Sequence, residues 1–273
     1  MNESAILNES AMRDIVDLDR YPIDREESAA CNALILECKT QLREQGSFNL
    51  DGFVRADGLE RTVRELSPLM AGGGFRHARR HNIYFKEDVP DLPDEHPARL
   101  KFETVNHTLC ADQLHGTVVE RLYGWSPLVS FLARTMGKPR LFEMNDPLAR
   151  LNVMAYGPGQ ALNWHFDRSQ FTTTLLIQTA EAGGEFEYRS GLRSDTEPNY
   201  DGVARLLKGE DPQVRTQSLA AGTLNVFAGR NTAHRVTPVR GTRSRMVAVF
   251  SYYETAGVAF SSAERLGFYG RAR

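Results

Sequence analysis

The run Asn163-Trp164-His165-Phe166-Asp167 sets an imidazole and a carboxylate two residues apart, and a second imidazole, His234, follows 69 positions after the first. On a β-strand, residues i and i+2 point to the same side. His165 and Asp167 would then aim at one point, with Trp164 and Phe166 turned away. If a later strand brings His234 to that point, two imidazole nitrogens and one carboxylate oxygen can hold a divalent metal by one face, leaving its other positions open. No cysteine lies nearby to favour a closed zinc site. One His-x-Asp is usually a solvated pair, so the flanking sequence has to carry the argument. An apolar run, Leu151 to Met154, and a turn, Tyr156 to Gln160, precede His165. Gly222 to Phe227, a strand entered through a turn, precedes His234. Arg245 then opens Met246 to Tyr253, the strongest strand signal in the chain.

The elements that must position these groups follow from the hydrophobic period. From 141 onward the period is two. Strands are expected at 171–178, 185–189, 224–227, 234–239 and 246–253, with a long polar excursion at 190–217 holding a short helix near Val203 to Leu207. Short strands with Gly/Pro turns, after a helical N-terminal half, indicate an α+β fold with a double-stranded β-helix (jelly-roll, cupin-like) core and buttressing helices. From Ser28, the residues Cys31, Leu34, Ile35, Cys38 and Leu42 make one helical stripe, closed by Gly46. Phe48 to Val54 reads as a short strand leading into a helix over 57–70. Met70 to Phe75 contains three consecutive glycines and predicts a flexible break; no Lys-Ser/Thr follows to make it a phosphate loop. The basic stretch 76–85 reads as a solvated face or as a loop over the barrel mouth. His77 and His81 are spaced for a metal on a helix, but the glycines before them and Ile83-Tyr84-Phe85 after them argue against one. Residues 86–99, with Pro90, Pro93 and Pro97, form a surface loop; 112–123 and 127–136 are helices. The expected division is a polar arm over 1–20 and one domain over 21–273. That domain has a helical part (21–139), the jelly-roll core (140–255) and a tail (256–273) whose Phe260, Leu266, Phe268 and Tyr269 pack back on the core.

Bulk properties exclude several classes. With 41% apolar and 25% charged residues the chain is ordinary globular material. A net charge of −2 gives no electrostatic case for nucleic acid or an anionic membrane. No run reaches the roughly 20 apolar residues of a spanning helix, and the first residues lack the basic start and apolar core of a signal peptide. Three cysteines, Cys31, Cys38 and Cys110, form no disulfide framework and suit a reducing cytosol. A cytoplasmic protein acting on a small molecule is expected; oligomeric state is left open.

The motifs together resemble the Fe(II)/2-oxoglutarate-dependent oxygenases. His165-x-Asp167, Gly183-Gly184-Glu185-Phe186, Gly222-Thr223-Leu224, His234 to Val239, Arg245 and a closing strand follow that superfamily's core order over roughly residues 140 to 255. His81 to Phe85 and Trp164 to Arg168 resemble bacterial members akin to free-standing amino-acid hydroxylases and halogenases. The resemblance implies Fe(II) on His165, Asp167 and His234, with 2-oxoglutarate and O₂ as cosubstrates. It implies a buried arginine for the distal carboxylate of 2-oxoglutarate, whose planar fork suits two parallel bonds. Arg245 is the first choice, eleven residues after His234; Arg243 shares its side by period two, and Arg240 belongs to a turn. Asn152 and Tyr156, on the strand leading to His165, are expected to bond the cosubstrate by the same resemblance. A lid is implied for the loop over 86–99.

Related halogenases carry Gly or Ala at the carboxylate position, which frees a site for halide. Asp167 therefore implies hydroxylation, with desaturation or ring formation as variants and halogenation disfavoured. Arg168, Arg76, His81 and Tyr84 are the substrate-side candidates; Arg168 stands where lysine-type relatives carry an acid. The expected reaction is hydroxylation of an amino acid or derivative with release of succinate and CO₂. The alternatives are a cupin-like metal enzyme that does not use 2-oxoglutarate and a non-catalytic metal-binding barrel.

Overall fold

The stripe after Ser28 forms α1, Ala29–Gln45, with the Ser28 side chain accepting from Cys31 N and Gly46 closing it at φ 76°, a conformation that favours glycine. A computed structural model describes residues 12–89 and 92–273, so Pro90 and residues 1–11 of the expected arm lie outside it. Within that arm, Met12, Ile15, Val16 and Leu18 are buried in the core and Val16 bridges Val54, so 12–20 is packed structure and not a loose arm. β1 is Ser47–Leu50 and α2 is Ala56–Gly73. The predicted glycine break is wrong for Gly72 and Gly73: the helix runs through both and stops at Gly74.

The basic stretch is also corrected. Phe75–His81 is a strand, β2, paired in register with β3, Phe102–Cys110. The segment before 140 is therefore not purely helical: besides α3 (Val118–Tyr123) and α4 (Ser126–Thr135) it supplies strands to the main sheet. The remaining strands are β4 (Phe142–Glu143), β5 (Leu151–Tyr156), β6 (Leu162–His165), β7 (Thr172–Gln178) and β8 (Phe186–Arg189). After α5 (Tyr200–Lys208) come β9 (Arg215–Gln217), β10 (Leu224–Phe227), β11 (Ala233–Val236), β12 (Arg245–Phe250) and β13 (Tyr252–Tyr253), then α6 (Ser262–Tyr269).

These make an α+β protein with antiparallel sheets. The large sheet runs β1-β10-β7-β12-β5-β3-β2, the small one β6-β11-β8-β9, and β13 pairs with β4. Side-chain alternation splits the large sheet into two faces. Leu151, Val153, Leu175, Ile177, Ala248 and Phe250 join the helices in the main core, where Phe131 meets Phe48 edge-on at 6.3 Å. Each of the larger of these side chains, Ala248 apart, contributes on the order of 2 kcal/mol by leaving water. The other face carries Met154, Tyr156, Leu176 and Val247 with Arg245, and the metal-ligand candidates lie on its side. The tail packs back through three of its four expected residues: Phe260, Phe268 and Tyr269 pack with Cys110, Met144 and Leu148, whereas Leu266 is exposed. Among the described residues no helix is long and apolar enough to cross a membrane.

Candidate active site

His165 ends β6 and His234 lies directly opposite it on β11, a register that brings the two imidazoles to 4.0 Å between ring centroids. Asp167 stands just past the end of β6, not on it. Its segment stays extended because Phe166 N donates to Ile83 O and Asp167 N to Gly229 O, both at 3.1 Å. Trp164 and Phe166 pack in a separate apolar cluster, as the period-two reading requires, and Phe166 also borders the cavity over the ligands. The ligand atoms of His165, Asp167 and His234 all lie within 4.8 Å of one another, and the Asp167 oxygens sit 3.4 Å from each Nε2.

The backbone sets the tautomers. His165 Nδ1 donates to Asn163 O at 2.8 Å and His234 Nδ1 to Thr232 O at 3.0 Å. Each ring's proton is thus on Nδ1, and both Nε2 lone pairs converge beside the carboxylate. Burial, helped by the neighbouring His165, pushes His234 down to about 4, so it is a neutral ligand at physiological pH. Burial alone would raise Asp167; positive charge on His234 or His165, present only when a ring carries a second proton, and the Thr172 hydroxyl lower it. Thr172 donates to Asp167 Oδ2. Gly229 makes room for both: a Cβ there would stand 2.3 Å from the Thr172 hydroxyl and 2.6 Å from Asp167 Oδ2.

Arg245 opens β12 opposite Tyr156 on β5 and is 5% exposed. Its Nε and Nη1 are buried without a hydrogen-bond partner. An unmatched buried guanidinium is costly and fits a carboxylate arriving from outside the protein. A cavity of ≈ 210 Å³ beside it is lined by Gly184, Phe186 and Leu219 among others, and Phe186 also stands 5.9 Å from the His234 ring. Tyr156 is fully buried. Desolvation pushes its phenol up to about 12, opposed by the Arg245 charge and the Asn106 side chain.

Several expected site residues are used elsewhere. Asn152 is spent on structure, its Nδ2 donating to Leu148 O and its Oδ1 accepting from Tyr269 Oη. Arg243 is exposed and bonds Thr179 O and Ala180 O across a turn, so it is no rival to Arg245. Tyr84 stacks on Phe166 and donates to Pro198 O, away from the cavity. Arg76 is exposed on the face of β2 opposite His77 and His81. His81 does line the cavity over the metal ligands, but both nitrogens are engaged: Nδ1 with Asn82 O and Nε2 with Thr104 Oγ1. Arg168 lines the mouth, half-exposed and ion-paired with Glu264 of α6. In the loop over 86–99 the described residues on either side of 90–91 are held in place: Val89 and Ala98 are fully buried and Arg99 bonds Leu92 O at 3.0 Å.

Sequence reading missed Thr104, Asn106 and Thr108 on β3, Thr172 on β7 and Gly229. The first three are buried polar residues that line the cavity. Their signal is a polar alternation at positions 104, 106 and 108. Thr104 links two parts of the site: it accepts from Asn163 N, whose carbonyl orients His165, and contacts His81.

A family model described as halogenase D matches residues 31–264. The chain belongs to the halogenase D family. Solved structures agree on the fold. AviO1 from Streptomyces viridochromogenes Tue57 superposes with a TM-score of 0.54 at 16% identity, covering 81% of this chain and 96% of that one. A Trichoplax adhaerens prolyl hydroxylase, solved with a hypoxia inducible factor peptide fragment, gives 0.53 at 14%, covering 81% and 90%. A 2OG-Fe(II) oxygenase family oxidoreductase from Burkholderia pseudomallei gives 0.51 at 17%, covering 82% and 92%. Among curated proteins none matches the chain significantly. This halogenase D family member thus shares its fold with proteins described as a 2OG-Fe(II) oxygenase family oxidoreductase and a prolyl hydroxylase. The His-Asp-His cluster is a donor set that suits Fe(II).

Proposed function

We propose that the protein is an Fe(II)- and 2-oxoglutarate-dependent oxygenase that hydroxylates an unactivated C–H bond of a small polar metabolite, an amino acid or derivative, with release of succinate and CO₂. The observation that carries this is the combination of the three convergent ligands with the unmatched buried guanidinium of Arg245. His165, Asp167 and His234 would hold the iron, and Arg245 would pair with the distal carboxylate of 2-oxoglutarate, beside Tyr156. Iron with 2-oxoglutarate and O₂ supplies the oxidising power. The chain's own residues bind, orient and keep out water. No side chain has to act as acid or base.

We read the facing sheets as a double-stranded β-helix in one domain. The three cysteines, all free and buried, suit a reducing cytoplasm, and the near-neutral charge suits a small-molecule substrate better than nucleic acid or membrane.

Asp167 favours hydroxylation, because its carboxylate takes the place a halide would need. The family description favours a second reading, halogenation. Product analysis in chloride separates them: a chlorinated product with Asp167 intact would establish the second.

The direct test is anaerobic titration of the Fe(II)-loaded protein with 2-oxoglutarate, following the visible metal-to-ligand charge-transfer band. A band in the wild type should require roughly a hundredfold more 2-oxoglutarate in Arg245→Ala, the loss of about 3 kcal/mol of charge-assisted bonding. Bound iron without a band would replace this reading with a cupin-like metal enzyme that does not use 2-oxoglutarate.

A further inference from the structure

The cavity over His165 and Asp167 is rich in aromatic faces and imidazoles and poor in acids. It measures ≈ 220 Å³, and the carboxylate lining it is that of Asp167, already committed to the metal cluster. No second acid among its lining residues could receive an ammonium group.

Arg79 lies at its edge. On β2 it shares a face with His77 and His81, and its register partner on β3 is Thr104; all three line the cavity. Its guanidinium is centred 5.2 Å from the Phe85 ring and 5.2 Å from the Phe268 ring, and both rings line the cavity too. Arg168, across the mouth, is ion-paired with Glu264. Among the described residues Arg79 has no such partner: burial and the nearby positive charge of Arg168 both act against its charged form. His77, next along the same face, leaves Nε2 buried without a hydrogen-bond partner.

A half-buried guanidinium between two aromatic faces, with no acid of its own, wants an anion whose body is apolar. We propose that Arg79 anchors the anionic group of the substrate, and that the substrate is an acid with an apolar body and no free ammonium. This deepens the oxygenase reading and rests on it. A carboxylate would seat on Arg79 between Phe85 and Phe268. A polar group beside it, such as the N–H of an acylated amine, would meet His77 Nε2. The carbon chain would run past Met154 toward the ligands.

The test uses N-acetyl-L-leucine as the acid, N-acetyl-L-leucinamide as its neutral twin and L-lysine as the ammonium-bearing comparison. Binding is measured by calorimetry without oxygen, on the Fe(II)·2-oxoglutarate form and on the metal-free protein, for wild type, Arg79→Gln and Arg79→Ala. The wild type should bind the acid about tenfold more tightly than the amide and should not bind L-lysine. Both variants should lose that preference, binding acid and amide alike, while the charge-transfer band reports that they are folded and take up 2-oxoglutarate. L-lysine binding more tightly than the acid, an acid preference that survives in both variants, or no binding of any probe in either form would overturn the proposal. Absence of the band, with Arg79-dependent acid binding to the metal-free protein, would instead remove the oxygenase reading and leave the anion anchor standing.

Discussion

Asp146 and Asp167 are both carboxylates drawn away from bulk water, and the chain treats them differently. Asp146 Oδ1 accepts from the backbone N–H groups of Leu148 (2.9 Å) and Ala149 (2.8 Å), and Oδ2 from Phe260 N and Arg265 Nε, both at 2.9 Å. Burial would raise its pKa, but these donors hold it below the usual range. It is complete, and it ties the C-terminal segment to the turn before β5. Asp167 receives the Thr172 hydroxyl and faces two Nε2 atoms that carry lone pairs. The lesson is that a carboxylate ringed by protein donors holds structure, and one ringed by acceptors is waiting for a cation.

Four substitutions or conditions test that contrast. The largest effect belongs to Asp167→Ala. Succinate formation should fall by more than about a hundredfold, beyond what an outer partner of a metal ligand costs, while the metal-free protein keeps or gains stability because an unmatched charge has gone. A stability loss as large as that of an Asp146 variant would collapse the distinction. Next is Asp146→Ala, which leaves Arg265 unpaired and should cost about 3 kcal/mol in chemical denaturation. The iron–2-oxoglutarate band should survive it; loss of the band in folded protein would make Asp146 part of the site.

Thr172→Val removes the donor to Asp167 Oδ2 and should weaken Fe(II) binding about tenfold with little change in folding. Unchanged iron affinity would reduce Thr172 to packing. The smallest effect is on pH. Burial holds His81 and His234 down to about 4, so both stay neutral in the folded protein below the unfolded value of about 6.5. Between these limits the unfolded chain binds protons that the folded one refuses. Stability is therefore full above about pH 6.5 and is lost as the pH falls toward 4. Denaturation midpoints of metal-free protein should drop over that window, less steeply in His81→Asn. A flat profile, or one equally steep in the variant, would deny His81 its buried neutral state.

The metal cluster was legible because its chemistry depends on residue type and spacing, and His165, Asp167 and His234 do converge. Arg245 was legible from its place at the start of β12; its buried, unmatched nitrogens were not. Strands packed against the main core announced themselves, and 224–227 was read to the residue. β2 and β3 did not, because their cavity faces are polar and β2 is a sheet edge carrying three arginines, so no apolar alternation survives. β9 hid for the same reason, being three polar residues. The glycines at 72 and 73 misled because tertiary contact outweighed propensity. Gln113 Nε2 donates to Gly73 O, and a Cβ on Gly73 would stand 2.9 Å from that nitrogen. Asn152 misled because parity says which face a residue takes, not which neighbour claims it; Tyr269, far along the chain, does.

Arg76, set aside as a substrate contact, has a consequence of another kind. It lies on β2, the last strand of the large sheet, where it and Arg80 are exposed with Ala78 between them. An end strand offers a free row of amide and carbonyl groups to any extended chain that drifts past. Two protruding guanidinium groups make that row a poor template, since a second copy docking edge to edge would bring like charges together. The side chains that do no chemistry here would oppose edge-to-edge pairing of two molecules, the first step toward a fibril.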